Sequence, residues 1–169
     1  YLREVQTAAR KIDWGQVSEI RCLRTVSRNV ADKADLLWSL APHDLAVLRF
    51  WFGYLPETWA VESDVRFRWT LRSAYARGPN VELTVAQSRL PLREISIERE
   101  SGTIRIRQQQ RMPEPLSVVL EHFAACLGTD RSPITGVDGA IETARVLSGV
   151  STCATSGVGY GGTANVWHG

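Results

Sequence analysis

A histidine in the first half of the chain has neighbours suited to proton transfer. His43 follows Pro42 and precedes Asp44, and Ser39 lies four residues earlier, which is one turn away on a helix. Proline and aspartate both favour the first turn of a helix, where the helix dipole disfavours a protonated imidazole. A histidine at that place would stay neutral near pH 7 and could accept a proton from a hydroxyl group. The same pattern also fits a structural or surface histidine.

The residues after His43 indicate the helix that would hold it in place. Apolar side chains in LAVLRFWF, residues 45–52, recur at the helical period, and Gly53 is suited to end a helix. We therefore predict a helix over residues 42–52 that begins at Pro42 and presents His43 at its mouth.

The rest of the chain predicts an α+β fold around this helix. Two segments alternate apolar and polar residues with the period of a half-buried strand, and each folds back at a turn. The expected elements in chain order are a helix over 1–12, a strand over 17–28, the helix over 42–52, hairpins over 65–85 and 93–107, and helices over 116–127 and 140–147. When antiparallel strands form a sheet with one apolar face, other elements must cover that face. We therefore predict an open, mostly antiparallel sheet with helices packed on one face.

The strand predicted over residues 65–75 gives this sheet two unlike faces. Trp69 and Tyr75 lie on its apolar face, whereas Arg68 and Arg72 lie on the reverse. We interpret the arginines of the strands as solvated residues, because they are not clustered on one helix as in many nucleic-acid-binding proteins. Either face could pair with the sheet of a second copy.

The composition excludes several classes of protein. Of the 169 residues, 44% are hydrophobic and 22% are charged, as in an ordinary globular domain. A net charge of +2 is too small to indicate a nucleic-acid partner, and no apolar run reaches the ~18 residues that a membrane span needs. Cys22, Cys126 and Cys153 form no C-x-x-C pair, which argues against a zinc site and favours a reducing, cytoplasmic location.

The last segment, residues 151–169, is small, polar and rich in glycine. We predict a tail or linker there, or the start of a truncated module. Its GVGYGG, residues 157–162, matches the letters of the dinucleotide-binding motif, but no strand is predicted before it and no helix after it, so we do not expect a cofactor loop. The final GTANVWHG resembles the first coil of left-handed β-helix acyltransferases.

Residues 1–150 resemble the C-terminal domain of the glucose–fructose oxidoreductase / inositol dehydrogenase / MocA (Gfo/Idh/MocA) family. The resemblance rests on LW-x-LAPHDL, on the ending LEHF…P-x-T…DG…VL, and on the order of the elements between them. It implies a dihydrodipicolinate reductase-like C-terminal domain whose sheet packs against another subunit, in a homodimer or homotetramer. It also implies an N-terminal Rossmann domain, absent from this chain, that binds NAD or NADP. The LAPHDL version is most similar to members that act on sugars or nucleotide sugars.

The resemblance assigns roles to particular residues. The family begins this helix with D-x-x-x-H, whose histidine transfers a proton at the oxidised hydroxyl, and His43 matches that histidine. Ser39 stands where the family has the aspartate, and Ala46 stands where a further aspartate is common. The family's other catalytic residue is a lysine in an E-K-P motif of the Rossmann half, and neither Lys11 nor Lys33 lies in such a motif.

Polar residues near His43 are the candidates for binding substrate. We expect contacts to a sugar hydroxyl or phosphate from Arg28 and Asn29 in the preceding loop and from Ser39 and Asp44. Asp32 and Asp35 belong to the same predicted loop, which could equally be an exposed connection. A second histidine, His122, lies beside the apolar stripe of the helix predicted over 116–127, and we interpret it as a packing or surface residue.

Two classes of function follow from these observations. The first is the substrate-binding and oligomerisation part of an NAD(P)-dependent oxidoreductase, with His43 exchanging the hydroxyl proton. The second is a non-catalytic sheet domain for binding or assembly, which the serine at position 39 favours. NAD-dependent glycoside cleavage, which begins with the same hydride abstraction in this family, is a further reading of the first class.

Overall fold

The computed structural model describes residues 2–27, 30, 32–64, 67–107, 126, 136–155 and 163–165. Helices and strands account for most of these residues. The elements are helix α1 (Leu2–Lys11), strand β1 (Val17–Val26), helix α2 (Lys33–Phe52), strands β2 (Thr58–Asp64), β3 (Arg68–Ala74), β4 (Asn80–Gln87), β5 (Leu92–Arg99) and β6 (Gly102–Arg107), helix α3 (Val137–Thr155) and strand β7 (Thr163–Asn165).

The described strands form one sheet in the order β6-β5-β1-β4-β3-β2-β7. Strand β1 pairs with β4 in parallel, and the other neighbours are antiparallel. The first strand of the chain therefore lies in the middle of the sheet, between the β5–β6 hairpin and the β4–β3–β2 meander. The predicted open, mostly antiparallel sheet is confirmed.

Helix α2 packs across one face of the sheet. Its buried leucines meet buried apolar side chains of the central strands, and the full burial of each such side chain stabilises the fold by about 1.5–3 kcal/mol. The fully buried members are Leu36, Leu37, Leu45 and Leu48 on α2 and Ile20, Leu71, Leu83, Ile95 and Ile97 on the strands. The Trp69 indole N–H also donates to the Lys33 carbonyl over 2.9 Å, which ties β3 to the first turn of α2.

The two faces of the sheet differ as the alternation predicts. Trp69 and Tyr75 are buried beneath the helices, on what we call the helix-covered face. The reverse, which we call the open face, carries ion pairs of arginine and glutamate, all of them between neighbouring strands except Arg21–Glu19 within β1. These pairs are Arg72 with Glu62 and Glu82, Arg21 with Glu19 and Glu98, and Arg107 with Glu94. Of the two faces that could pair with another sheet, the open face is the accessible one.

The start of α2 differs from the prediction. The helix begins at Lys33 rather than at Pro42, because the Asp32 carboxylate caps it by accepting the backbone N–H of Asp35 over 2.7 Å. Pro42 is therefore an interior residue, which costs one helical hydrogen bond. Burial of Leu36 and the apolar residues that follow it outweighs the preference of proline for a first turn.

The end of α2 agrees with the prediction. Gly53 adopts the left-handed conformation, with φ of 81°, and its N–H donates to the Arg49 carbonyl over 2.7 Å. An L-residue with a side chain rarely adopts this φ, so glycine is needed at the position. The helix predicted over residues 42–52 therefore ends where predicted, but it begins at Lys33 instead of Pro42.

The second hairpin and the last helix can be compared with the register and the boundary predicted for them. Ile95 faces Ile106 and Ile97 faces Ile104, so the β5–β6 hairpin has the predicted register. Strands β2 and β7 were not predicted, and α3 continues to Thr155, past the predicted boundary at residue 150. Regular structure therefore extends into the segment expected to be a tail. The helix predicted over 116–127 lies outside the described residues except for the buried, helical Cys126.

None of the described helices is both long enough and apolar enough to span a membrane.

Candidate functional site

His43 lies in the second half of α2, at the border between the buried side of the helix and solvent. It is exposed, whereas Leu40 and Asp44 beside it on the helix surface are buried. Its place inside the helix contradicts the prediction that the helix dipole acts on it from the first turn. The dipole effect falls off within the first turn, so the charge state of His43 must have another cause.

Asp44 forms a buried ion pair with Arg24 of β1. The Arg24 guanidinium donates twice to the carboxylate, from Nε to Oδ2 over 2.8 Å and from Nη2 to Oδ1 over 2.6 Å. Arg24 is 1% exposed and Asp44 is 2% exposed. Two charge-assisted bonds of this fork geometry fix the carboxylate in position and orientation. The pair therefore fastens α2 to the middle of the sheet one residue after His43.

A second arginine lies next to this pair. In the antiparallel β1–β5 ladder Arg93 is directly opposite Arg24, so the two side chains share the helix-covered face. The pKa of His43 is lowered from its ordinary value of 6.5, first by partial removal of the ring from water and then by the positive charges of Arg24 and Arg93. The Asp44 carboxylate acts in the opposite direction. An imidazole in this setting is neutral near pH 7.

The buried thiol of Cys22 lies two residues before Arg24 on the same face of β1. Burial raises its pKa well above the ordinary value, the Asp44 carboxylate adds to the rise, and Arg24 opposes it. The thiol is therefore neutral and is not a nucleophile.

The structure describes two of the four predicted substrate-binding residues, Ser39 and Asp44, and both lie on α2. Asp44 turns inward to Arg24, so its carboxylate is not open to a ligand in this arrangement. Ser39 is half-buried, and its hydroxyl donates to the Leu36 carbonyl over 3.3 Å. Arg28 and Asn29 lie outside the described residues. Asp32 and the exposed Asp35 belong to the cap and first turn of α2 rather than to a loop.

Sequence reasoning missed Arg24 and Arg93. Both were grouped with the solvated arginines of the strands, and Arg24 proves to be almost fully buried. A usable signal was present for Arg24, since it continues the alternation of the buried Ile20 and Cys22. Its partner on α2 is twenty residues away in sequence, so no local pattern identifies the pair.

A groove of about 340 Å³ runs between α2 and α3. It is lined mainly by apolar residues, among them Trp38, Pro42, Phe50 and Ala140. The Arg49–Glu142 ion pair bridges the same two helices, with Nε and Oε2 2.7 Å apart. A sugar requires several converging hydrogen-bonding groups, so this apolar groove does not suit a sugar ring.

The described residues do not fit a dinucleotide or a metal ion. Their one parallel strand pair, β1 and β4, has no glycine-rich turn leading into a helix, as a pyrophosphate site requires. No group of three or more His, Cys, Asp or Glu side chains among them could hold a metal ion. Among the described residues, the group suited to proton transfer is therefore the exposed imidazole of His43, next to the buried Arg24–Asp44 ion pair.

No model of a protein family matches the sequence. No curated protein matches it either.

Several solved structures of dehydrogenases share the fold. The UDP-N-acetylglucosamine 3-dehydrogenase GnnA from Acidithiobacillus ferrooxidans is 14% identical at a TM-score of 0.66, covering 89% of this chain and 56% of its own. The WlbA dehydrogenase from Bordetella pertussis, in complex with NADH and UDP-GlcNAcA, is 15% identical at 0.71, with coverages of 99% and 60%. The myo-inositol 2-dehydrogenase from Lactobacillus plantarum is 12% identical at 0.65, with coverages of 92% and 59%.

These structures confirm the predicted resemblance at the level of the fold. They are Gfo/Idh/MocA-type dehydrogenases, and the chain spans between 56% and 60% of their lengths, as expected for a C-terminal domain. At 12% to 15% identity the likeness establishes the fold and leaves activity, substrate and partners to be argued from the chain's own residues.

Proposed function

We propose that this chain is the substrate-binding and oligomerisation domain of an NAD(P)-dependent oxidoreductase that acts on a sugar or nucleotide sugar. The observation that carries the proposal is His43, an exposed imidazole with a lowered pKa, in a fold shared with sugar and nucleotide-sugar dehydrogenases. A fold alone does not define an activity, so the proposal depends on this residue.

His43 would act as the proton acceptor for the substrate hydroxyl. Oxidation of an alcohol carbon releases the hydroxyl proton, and a neutral imidazole nitrogen accepts it. The lowered pKa keeps the ring neutral at the pH of the cytoplasm, where we place the protein. Such a base accelerates a reaction by ~10²–10⁴-fold.

The cofactor would be bound by sequence outside this chain. NAD or NADP supplies the hydride acceptor in such enzymes, and WlbA was crystallised with NADH. The contribution that we assign to this chain in the proposal is the proton transfer and the substrate contacts.

Substrate contacts would come from residues around the exposed side of α2. Ser39, one helical turn before His43, is suited to hydrogen-bond a sugar hydroxyl by exchanging its bond to the Leu36 carbonyl. Arg28 and Asn29 remain candidates for a hydroxyl or phosphate. Asp44 would contact a ligand only if it broke its bonds to Arg24, so we assign it the role of fixing the position of His43.

The experiment is a steady-state comparison in the complete protein encoded by the gene. The assay follows NADH or NADPH formation with UDP-N-acetylglucosamine and with myo-inositol. We expect His43→Ala to lower kcat by about 10²–10⁴-fold and to leave the KM for the cofactor little changed. His168→Gln, a change of the same residue type in the C-terminal segment, is the control. Unchanged turnover in His43→Ala would contradict the assignment.

The open face of the sheet favours the second candidate role, assembly. Its arginines and glutamates alternate across neighbouring strands, so a two-fold axis can be positioned to bring the arginines of one copy against the glutamates of the other. Thr70 and Thr84, which are directly opposite on β3 and β4, lie buried between these charged residues. We propose a homodimer or homotetramer that pairs through this face.

Sedimentation at several protein and salt concentrations tests the assembly role. We expect a dimer or tetramer at micromolar concentration that dissociates as salt rises, because exposed charges are screened. The charge reversal Arg72→Glu should weaken the association, whereas Arg10→Glu on the exposed side of α1 should not. A monomer at high micromolar concentration in low salt would contradict the proposed interface.

An NAD-dependent glycosidase of the same fold is a further candidate, because its first step also oxidises a sugar hydroxyl. Release of an aglycone from a nitrophenyl glycoside, dependent on added NAD, would distinguish it from a simple dehydrogenase.

A further inference from the structure

The Arg24–Asp44 pair is a costly feature of the core. Both charges have left water, and their neighbours Cys22 on β1 and Leu45 on α2 belong to the buried apolar core. In other proteins, replacing a buried ion pair with apolar side chains of similar volume is often neutral or stabilising. Stability alone therefore does not account for the pair, and its place one residue from His43 points to a role at the site.

The pair controls where His43 lies. Asp44 has both carboxylate oxygens bonded to Arg24, so the turn of α2 that carries it has a fixed rotation and height above β1. Successive residues on an α-helix are about 100° apart around its axis, which places His43 at the solvent border when Asp44 points at the sheet. An apolar residue at position 44 would also pack α2 against the sheet, but without directional bonds it would not fix the rotation and position of the helix relative to β1.

The charges around the imidazole also have a consistent pattern. Asp44 acts on it from α2, Arg24 from β1 and Arg93 from β5, and the nearby Cys22 thiol is neutral. Arg24 and Arg93 each lower the pKa of His43 by more than the Asp44 carboxylate raises it. A proton on His43 would therefore meet a net positive surrounding.

We propose that Arg24 is a positioning residue for His43: through Asp44 it fixes the helical turn that presents the imidazole, and together with Arg93 it holds the imidazole in the neutral, proton-accepting form. The part concerning catalysis rests on the proposed function, whereas the part concerning charge and position concerns the folded chain alone.

A titration of the His43 ring tests the electrostatic part without any assay of activity. The complete protein is labelled with ¹³C at histidine Cε1, and the His43 signal is identified by its loss in His43→Gln. In Arg93→Gln we expect the pKa of His43 to rise toward 6.5. Arg105→Gln, on the open face of the neighbouring strand β6, is the matched control. A pKa in Arg93→Gln no higher than in that control would overturn the proposal.

A double variant tests the positioning part. Arg24→Met alone leaves a buried carboxylate and could fail to fold, so Arg24→Met/Asp44→Leu removes both charges together. We expect this variant to fold and to lose about 10- to 100-fold in kcat, with KM for the cofactor unchanged, because the base is displaced. A folded double variant with wild-type kcat would overturn the positioning role.

The outcomes separate this proposal from the proposed function. If His43→Gln abolishes turnover while Arg93→Gln leaves the pKa of His43 unchanged, the function stands and this inference fails. If the pKa moves as expected while His43→Gln turns over normally, the electrostatic inference stands and the assigned function fails.

Discussion

The two faces of the sheet use the same chemistry in opposite surroundings. On the helix-covered face, Arg24 and Asp44 form one ion pair that is almost completely buried. On the open face, Arg72 reaches Glu62 and Glu82 over 2.7 and 2.8 Å, with its side chain 48% exposed. Distances alone would rank these pairs as equals. Their surroundings differ. The buried Arg24–Asp44 pair fixes the position of α2, whereas the Arg72 pairs are exposed to water.

The difference follows from what each residue loses when its partner is removed. An exposed arginine regains water, so the loss is small and salt-dependent. A buried arginine cannot regain water, so removing its carboxylate leaves a charge in an apolar core. The helix-covered face is thus built to hold one geometry, whereas the exposed ion pairs of the open face contribute little to holding the fold.

The largest effect is expected from Asp44→Asn, which keeps the shape of the side chain and removes its charge. The free energy of unfolding should fall by about 3–5 kcal/mol, because the substitution removes the charge of one partner from a buried ion pair. Urea denaturation followed by circular dichroism measures this. Glu82→Gln is the control on the open face. A loss below about 1 kcal/mol in Asp44→Asn is typical of an exposed ion pair, and it would contradict the claim that the buried charge of Arg24 depends on Asp44.

A smaller effect is expected from Glu142 on α3, whose burial is intermediate. Its carboxylate accepts from Arg49 over 2.7 Å and from the backbone N–H of Leu55 over 2.6 Å. Glu142→Ala should cost about 1–3 kcal/mol, because the partly buried N–H loses its acceptor. Glu142→Gln keeps an acceptor and should cost less. Equal losses in the two variants would show that the N–H bond contributes nothing.

The smallest effect on stability is expected from Arg72→Gln on the open face. The free energy of unfolding should change by no more than about 0.2–1 kcal/mol, and the change should shrink as salt is added. A loss as large as that of Asp44→Asn would remove the distinction between the faces. If the protein is dimeric, the measurement is made at a concentration where the monomer dominates.

The elements that sequence reasoning predicted correctly depend on local patterns. The hairpin that pairs Ile95 with Ile106 follows from alternation and a turn, and the stop at Gly53 follows from a single residue type. The start of α2 was missed because Pro42 is a strong local signal for a first turn, whereas burial of Leu36 depends on strands that come later in the chain. Tertiary packing outweighed the local preference.

The candidate site was predictable from the sequence only at its exposed residue. His43 stands out in the sequence by its neighbours, and it lies exposed on α2. The helix dipole that was expected to keep it neutral does not act there. Partial removal of the ring from water and the charges of Arg24 and Arg93 lower its pKa instead. That arrangement needs the central position of β1 between β4 and β5, which no segment of the sequence specifies by itself.

The most direct test of the central claim is the pH dependence of turnover in the complete protein, with and without His43. For the wild type we expect kcat to be constant around pH 7 and to fall only below pH 6.5, as the lowered pKa of His43 requires. In His43→Gln we expect a kcat lower by about 10²–10⁴-fold and without this acid limb. A variant that keeps both the turnover and the acid limb of the wild type would contradict the claim that His43 is the proton acceptor.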